Sequence, residues 1–228
     1  MKITRHDVVL GSGCSVICLG FGIAAAWVMH HLFLLPHGFQ ALLLVVTFIM
    51  AFILGGIIVL WFLRKFWPLQ EGSLHLGTDC PSLVWKLHGY LYIFNLGLLI
   101  NAGLVPVNMR SFAFSLLGTK IGRSVMIGGK ILEPSLVSIG DYAMLGEDCL
   151  LTAHAVEGDR VDLGRIVVGN NVTVGVKAVL LPDVRVGDGA IIAAGAVVKK
   201  GSRIPAGEIW GGVPARKIGM VASQSEAP

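Results

Sequence analysis

The chain has 228 residues, of which 54% are hydrophobic and only 14% charged, against about 25% charged in an average soluble domain. That composition excludes a disordered chain and an ordinary charged globule. The net charge of +4 divides as six Lys/Arg against three Asp/Glu in residues 1–110 and twelve against eleven in residues 111–228. Nucleic-acid binding needs clustered positive charge, so no nucleic-acid partner is expected.

Val8 to Met29 is a run of 22 residues without a charge, and Ala41 to Leu63 is a second of 23. At 1.5 Å rise per residue each is long enough to cross a hydrocarbon core of about 30 Å. Trp27, Trp61, Phe62, Phe66 and Trp67 lie near the ends of the runs, as an aromatic belt would. Gly11, Ser15, Gly20, Gly22, Gly55 and Gly56 would let two helices approach closely. Lys2 and Arg5 precede the first run, Arg64 and Lys65 close the second, and His30–Gln40 between them holds no Lys or Arg. The positive-inside rule then predicts a helical hairpin in the cytoplasmic membrane with both ends in the cytoplasm. A cleaved signal peptide is the rival reading, but 22 apolar residues are long for a signal core.

Leu87 to Met109 is also uncharged, so its length permits a third span. His88, Asn95, Asn101, Asn108 and Pro106 within it suit an interfacial or re-entrant helix better, which keeps the rest of the chain cytoplasmic. Cys14, Cys18, Cys80 and Cys149 form no CxxC pair and no Cys/His cluster, so a packing role is expected, with no metal and no disulfide framework.

The second half repeats with a period of six. Ile121, Ile127, Glu133, Ile139, Leu145 and Leu151 occupy one column, which resumes at Val168, Val174, Leu180, Val186, Ile192, Val198, Ile204 and Trp210. Glycine follows at 122, 128, 140, 146, 169, 175, 187 and 211. A period of six is neither helix nor alternating strand. It suits a solenoid with three flat strands per coil and one hexad per strand. Fourteen hexads make between four and five coils. Glu133 breaks the aliphatic column, so either Pro134 turns it outward or it has a partner, because an unpaired buried carboxylate is costly.

The pattern resembles the left-handed parallel β-helix of hexapeptide-repeat acyltransferases, an exception to the right-handed crossover rule. The expected fold is a transmembrane helical hairpin over 1–66, a linker with an interfacial or re-entrant amphipathic helix over 67–110, a left-handed β-helix over 111–219 and a disordered tail over 220–228. EPSLVSIGD, the loop TAHAVEGDRVDLG and the ending WGGVPA look like the acyltransferase-like domain that closes polylysine-type peptide synthetases.

The largest interruption of the repeat is Ala155–Val167, directly after Thr152-Ala153-His154. A loop leaving a rigid prism is a natural place for a site. His154 is the only histidine after His88, which excludes a three-His zinc site of the carbonic-anhydrase kind. The T-x-H-x-V arrangement resembles galactoside- and xenobiotic-type acetyltransferases, where the corresponding His is the general base. Glu133, one coil away, and Glu157, three residues on, are the two candidate carboxylates to orient it.

The donor end is implied by the same resemblance. Gly175, Val176, Ala194, Gly195, Lys199 and Arg216 match the family's coenzyme A contacts, and Lys200 and Lys217 would serve the phosphates. One departure is Thr173, where many relatives carry Trp. The resemblance implies a homotrimer with sites between prisms, acetyl-CoA or another acyl-CoA as co-substrate, and no metal. The expected protein is therefore a multi-pass acyltransferase of the cytoplasmic membrane, acting on a hydroxyl or amine of a membrane-associated acceptor such as a glycan precursor or lipid. A non-catalytic trimeric membrane scaffold, using the β-helix as a binding module, is the alternative.

Overall fold

The computed structural model describes residues 5–32, 37–77 and 80–222; Lys2 and most of the expected disordered tail, residues 223–228, lie outside them. The chain divides into two compact units, Met1–Pro68 with Gly77–Leu99, and Leu69–Leu76 with Ile100–Pro228.

The first unit is helical. α1 (Arg5–Leu32) and α2 (His37–Phe66) carry the two apolar runs. Segments Val8–Leu32 and Phe39–Phe66 are long and apolar enough to cross a membrane. Their outer side chains, among them Val9, Val16, Ile23 and Trp27 on α1 and Leu42, Val46 and Met50 on α2, are exposed. Water would penalise that surface by about 25 cal/mol per Å². Small residues set the packing: a Cβ on Gly22 would lie 2.7 Å from the Phe48 ring, and one on Gly55 would lie 2.9 Å from that of Phe21. Ser15 Oγ and Tyr90 Oη are hydrogen-bonded at 2.6 Å.

No single helix covers Leu87–Met109. α3 (Cys80–Ile93) stops at a turn, and α4 (Leu96–Asn101) starts with Asn95 Oδ1 accepting the Leu96 N–H at 2.9 Å. Gly103 at φ +73° and Pro106 end that piece before α5 (Val107–Leu117) begins. Asn95 competes for backbone hydrogen bonds and Pro106 lacks an N–H, so a run of adequate length is cut into short helices. Each is shorter than the roughly 20 residues a crossing needs.

The second unit is a parallel β-helix with three faces. The first face stacks Lys120–Ile121, Val137–Ile139, Ile166–Val168, Arg185–Val186 and Arg203–Ile204. The second stacks Met126–Ile127, Met144–Leu145, Thr173–Val174, Ile191–Ile192 and Glu208–Gly211, closed by the antiparallel strand Arg216–Met220. The third stacks Lys130–Ile131, Leu150–Leu151, Val179–Leu180 and Val197–Val198. Between Leu150 and Val198 most of the predicted aliphatic column points inward, and copies align coil on coil, as with Ile131, Leu151, Leu180 and Val198. Glycines at the corners are forced by coil spacing. A Cβ on Gly175 would collide with the backbone of Ala194, and one on Gly140 with that of Asn170.

Glu133 is a correction to the hexad register. In the first coil the inward residue of the third face is Ile131, not residue 133. Gly128 and Gly129 turn the corner in two residues, with a Cβ on Gly129 colliding with Cys149, so the strand starts early. Glu133 therefore lies past the strand, before the 3-10 turn Pro134–Leu136.

Leu180 is wholly buried between Leu151 and Val198. Leu180→Ala is expected to lower unfolding free energy by about 2–5 kcal/mol, measured as a lower urea midpoint for the detergent-solubilised chain.

Candidate active site

His154 begins the excursion at the corner where the chain leaves the third face for the first. It opens a hairpin, His154–Glu157 with Arg160–Leu163, which turns at Gly158 (φ +65°). A third strand, Gly72–His75, pairs antiparallel with Arg160–Leu163. The predicted loop is thus a three-stranded sheet standing off the prism.

Glu133 is 8% exposed and has two partners. Its Oε1 lies 2.6 Å from His154 Nδ1, and its Oε2 accepts the Ala153 N–H at 3.1 Å. The carboxylate can only accept, so Nδ1 carries the hydrogen and Nε2 of neutral His154 presents a lone pair. Thr152 Oγ1 donates to the His154 carbonyl at 2.8 Å and sits 3.3 Å from Nδ1, pinning the ring from a second side. The Glu133 hydrogen bond raises the His154 pKa above its ordinary value, burial lowers it, and the Glu133 charge raises it further. A partly shielded imidazole paired with a buried carboxylate can accept a proton from a hydroxyl or amine.

Glu157, the other candidate orienter, ends the first strand of the hairpin. Its side chain is exposed, and its Oε1 is 4.0 Å from Lys200 Nζ. Burial pushes the Cys149 thiol up to about 12, so that thiol is no nucleophile near neutral pH.

The proposed donor residues fall in two places. Gly175, Val176, Ala194 and Gly195 meet at the corner between the second and third faces, where the Gly195 N–H donates to Val176 O at 2.8 Å. The segment 212–215 crosses the same corner one coil on, since Val197 N donates to Gly212 O at 3.0 Å and Ala215 N to Val197 O at 2.8 Å. Arg216 follows it, exposed. Lys217 pairs with Glu208 Oε1 at 2.7 Å, and Trp210 Nε1 donates to the other oxygen of that carboxylate at 2.8 Å.

Lys199 and Lys200 stand instead at the corner of His154. Lys200 Nζ donates to Asp162 of the hairpin. Asp162 is held below the usual carboxylate range by Lys200 first and by the Ser73 hydroxyl second. Glu71 and Ser73 escape a reading of the sequence. EGSLH is too short to show a strand period, and its pairing partners lie some 90 residues away.

Residues 165–200 match the family model of the bacterial transferase hexapeptide (six repeats). The YvoF protein of Bacillus subtilis (strain 168) is 30% identical over 109 residues, 48% of this chain and 62% of that protein. The mitochondrial gamma carbonic anhydrase 2 of Arabidopsis thaliana is 40% identical over 90 residues, 40% of this chain and 27% of that protein. The galactoside O-acetyltransferase of Escherichia coli (strain K12) is 35% identical over 95 residues, 39% of this chain and 46% of that protein. The chain spans less than two thirds of the length of each. By its strand stacking and by its sequence the second unit is a hexapeptide-repeat β-helix.

Proposed function

We propose that this chain is a membrane-anchored acyltransferase that moves an acyl group, most simply acetyl, from acyl-coenzyme A to a hydroxyl or amine. The observation that carries the reading is the 2.6 Å contact between His154 Nδ1 and the buried Glu133 carboxylate. The Escherichia coli relative is an O-acetyltransferase by name, which supports the same chemistry. Carbonic-anhydrase chemistry, suggested by the Arabidopsis relative, lacks its donor set, because His154 is the only histidine after His88.

In the proposed reaction, His154 Nε2 takes the proton of the acceptor O–H or N–H as that atom attacks the thioester carbonyl. The C–S bond then breaks, and the departing thiolate of coenzyme A recovers the proton from the imidazolium. Glu133 holds the ring and offsets its transient charge. No acyl-enzyme is required.

Coenzyme A would lie at the corner of Gly175, Val176, Ala194 and Gly195, where small side chains leave room for an extended pantetheine. Arg216, with Lys217, would meet its phosphates. That corner and the corner of His154 bound opposite edges of the third face. A second copy would bring a donor corner to the histidine, as in a homotrimer. α1 and α2 would anchor the assembly in the cytoplasmic membrane with the β-helix facing the cytoplasm, as Arg64 and Lys65 suggest. Anchoring raises the effective concentration of an acceptor in the same membrane, such as a lipid or glycan precursor.

Calorimetric titration of the detergent-solubilised chain with acetyl-coenzyme A tests the donor half. Arg216→Ala is expected to weaken binding about tenfold, the loss of one charge-assisted phosphate contact. No binding of acetyl-coenzyme A, longer acyl-coenzyme A or free coenzyme A would overturn the reading in favour of a scaffold.

A further inference from the structure

We propose that the strand Gly72–His75, with Glu71 before it, is a positioning element for His154: the segment that follows α2 in the chain holds the hairpin on which the histidine stands. The inference rests on the reading of His154 as the general base.

An isolated two-stranded hairpin is marginal in water, whereas three strands with a buried face are stable. The hairpin of His154 becomes three-stranded only through Gly72–His75, whose register is Gly72 with Leu163, Ser73 with Asp162, Leu74 with Val161 and His75 with Arg160. Arg160–Leu163 is thereby the central strand, and Val161 is wholly buried between Val156 and Leu74. Leu76 N donates to Asp159 O at 2.7 Å and extends the ladder to the hairpin turn.

Both ends of the added strand are tied. Glu71 Oε1 accepts from Arg165 Nε at 3.1 Å and Oε2 from the Arg165 backbone N–H at 3.2 Å, where the hairpin rejoins the prism. In the middle, Asp162 collects the Ser73 hydroxyl and the Lys200 ammonium, so one carboxylate links the added strand, the hairpin and the fourth coil.

The hairpin begins at His154 itself, opposite Leu163 and, one strand further, Gly72. A hairpin free to fray would carry the imidazole away from Glu133, which belongs to the prism. Glu71, through Arg165, and Leu74, through Val161, are thus positioning residues and touch no reacting atom.

The test uses the full-length chain in detergent. Leu74→Pro removes a strand N–H and the side chain against Val161. Amide exchange by mass spectrometry is expected to speed up at least about tenfold in residues 154–163 and to stay unchanged in the coils over 173–198. The His154 titration, followed by NMR of histidine-labelled protein, is expected to move down toward the ordinary imidazole range as the Glu133 contact loosens. Acetyl-coenzyme A affinity should not change, and kcat should fall with the KM for acetyl-coenzyme A retained. Unchanged hairpin exchange together with an unchanged His154 titration would overturn the proposal. Should Leu74→Pro loosen the coils as well, the Glu71→Ala/Ser73→Ala double variant decides on the same two readouts. Exchange and titration need no turnover, so a failure of the acyltransferase reading would show separately, as a His154→Ala variant that keeps its activity.

Discussion

His154→Ala is expected to lower acetyl transfer by about 10²–10⁴, the range supplied by a positioned general base, while acetyl-coenzyme A binds as tightly as before. The asymmetry follows from placement. His154 stands at the corner after the third face, whereas Gly175, Val176, Ala194 and Gly195 stand at the corner before it. Removing the imidazole leaves the donor corner intact, so the loss belongs in kcat. Steady-state kinetics with a model amine or hydroxyl acceptor, alongside calorimetry with acetyl-coenzyme A, separates the two. Wild-type activity in the variant would remove His154 from the mechanism.

Glu133→Gln should produce the second large effect and a diagnostic change with pH. The amide preserves shape but not charge, and the Glu133 hydrogen bond is the foremost cause of the raised His154 pKa, with its charge adding to it. The base must be neutral, so wild-type activity rises with pH through a midpoint above the ordinary imidazole value near 6.5. In Glu133→Gln that rise shifts to lower pH while the plateau falls by about tenfold or more, because the imidazolium formed in the transition state loses its counter-charge. A pH–kcat profile checks both. Stability moves in a linked way. The raised folded-state pKa means that the charged pair stabilises the fold fully below the unfolded pKa of His154, and that contribution disappears as pH rises through the folded value. Glu133→Gln removes it, so the gap in melting temperature between wild type and variant should be widest in mild acid. Glu133→Ala adds about 1–3 kcal/mol of destabilisation at any pH, because the buried Ala153 N–H loses its acceptor.

Much of this architecture is legible residue by residue. The inward column from Ile139 to Trp210, the glycines after it, and the break at Ala155–Val167 specify three faces, their corners and the one large excursion. Such features repeat locally, and each strand is only a few residues long. The two apolar runs are equally plain, because a helix that long and apolar has few other fates. Glu133 marks the limit of that reading. The column showed only that Glu133 is out of place, turned outward or partnered, while Gly128 and Gly129 shorten a corner and move the register, which depends on how closely the next coil packs. The uncharged run Leu87–Met109 is divided among short helices for a related reason, since Asn95 and Pro106 redirect backbone hydrogen bonds that hydropathy does not count.

Sequence by itself determined the solenoid, the apolar helices and the identity of the one histidine at the break, because periodicity, length and residue chemistry are local properties. Tertiary structure decided which carboxylate meets His154, that Lys199 and Lys200 stand with the histidine and not with Gly175, and that Gly72–His75 completes the hairpin. These are contacts between residues that lie 21 to 91 positions apart in the chain. Their partners are chosen by coil spacing and strand register, and neither quantity is written in any short stretch of the chain.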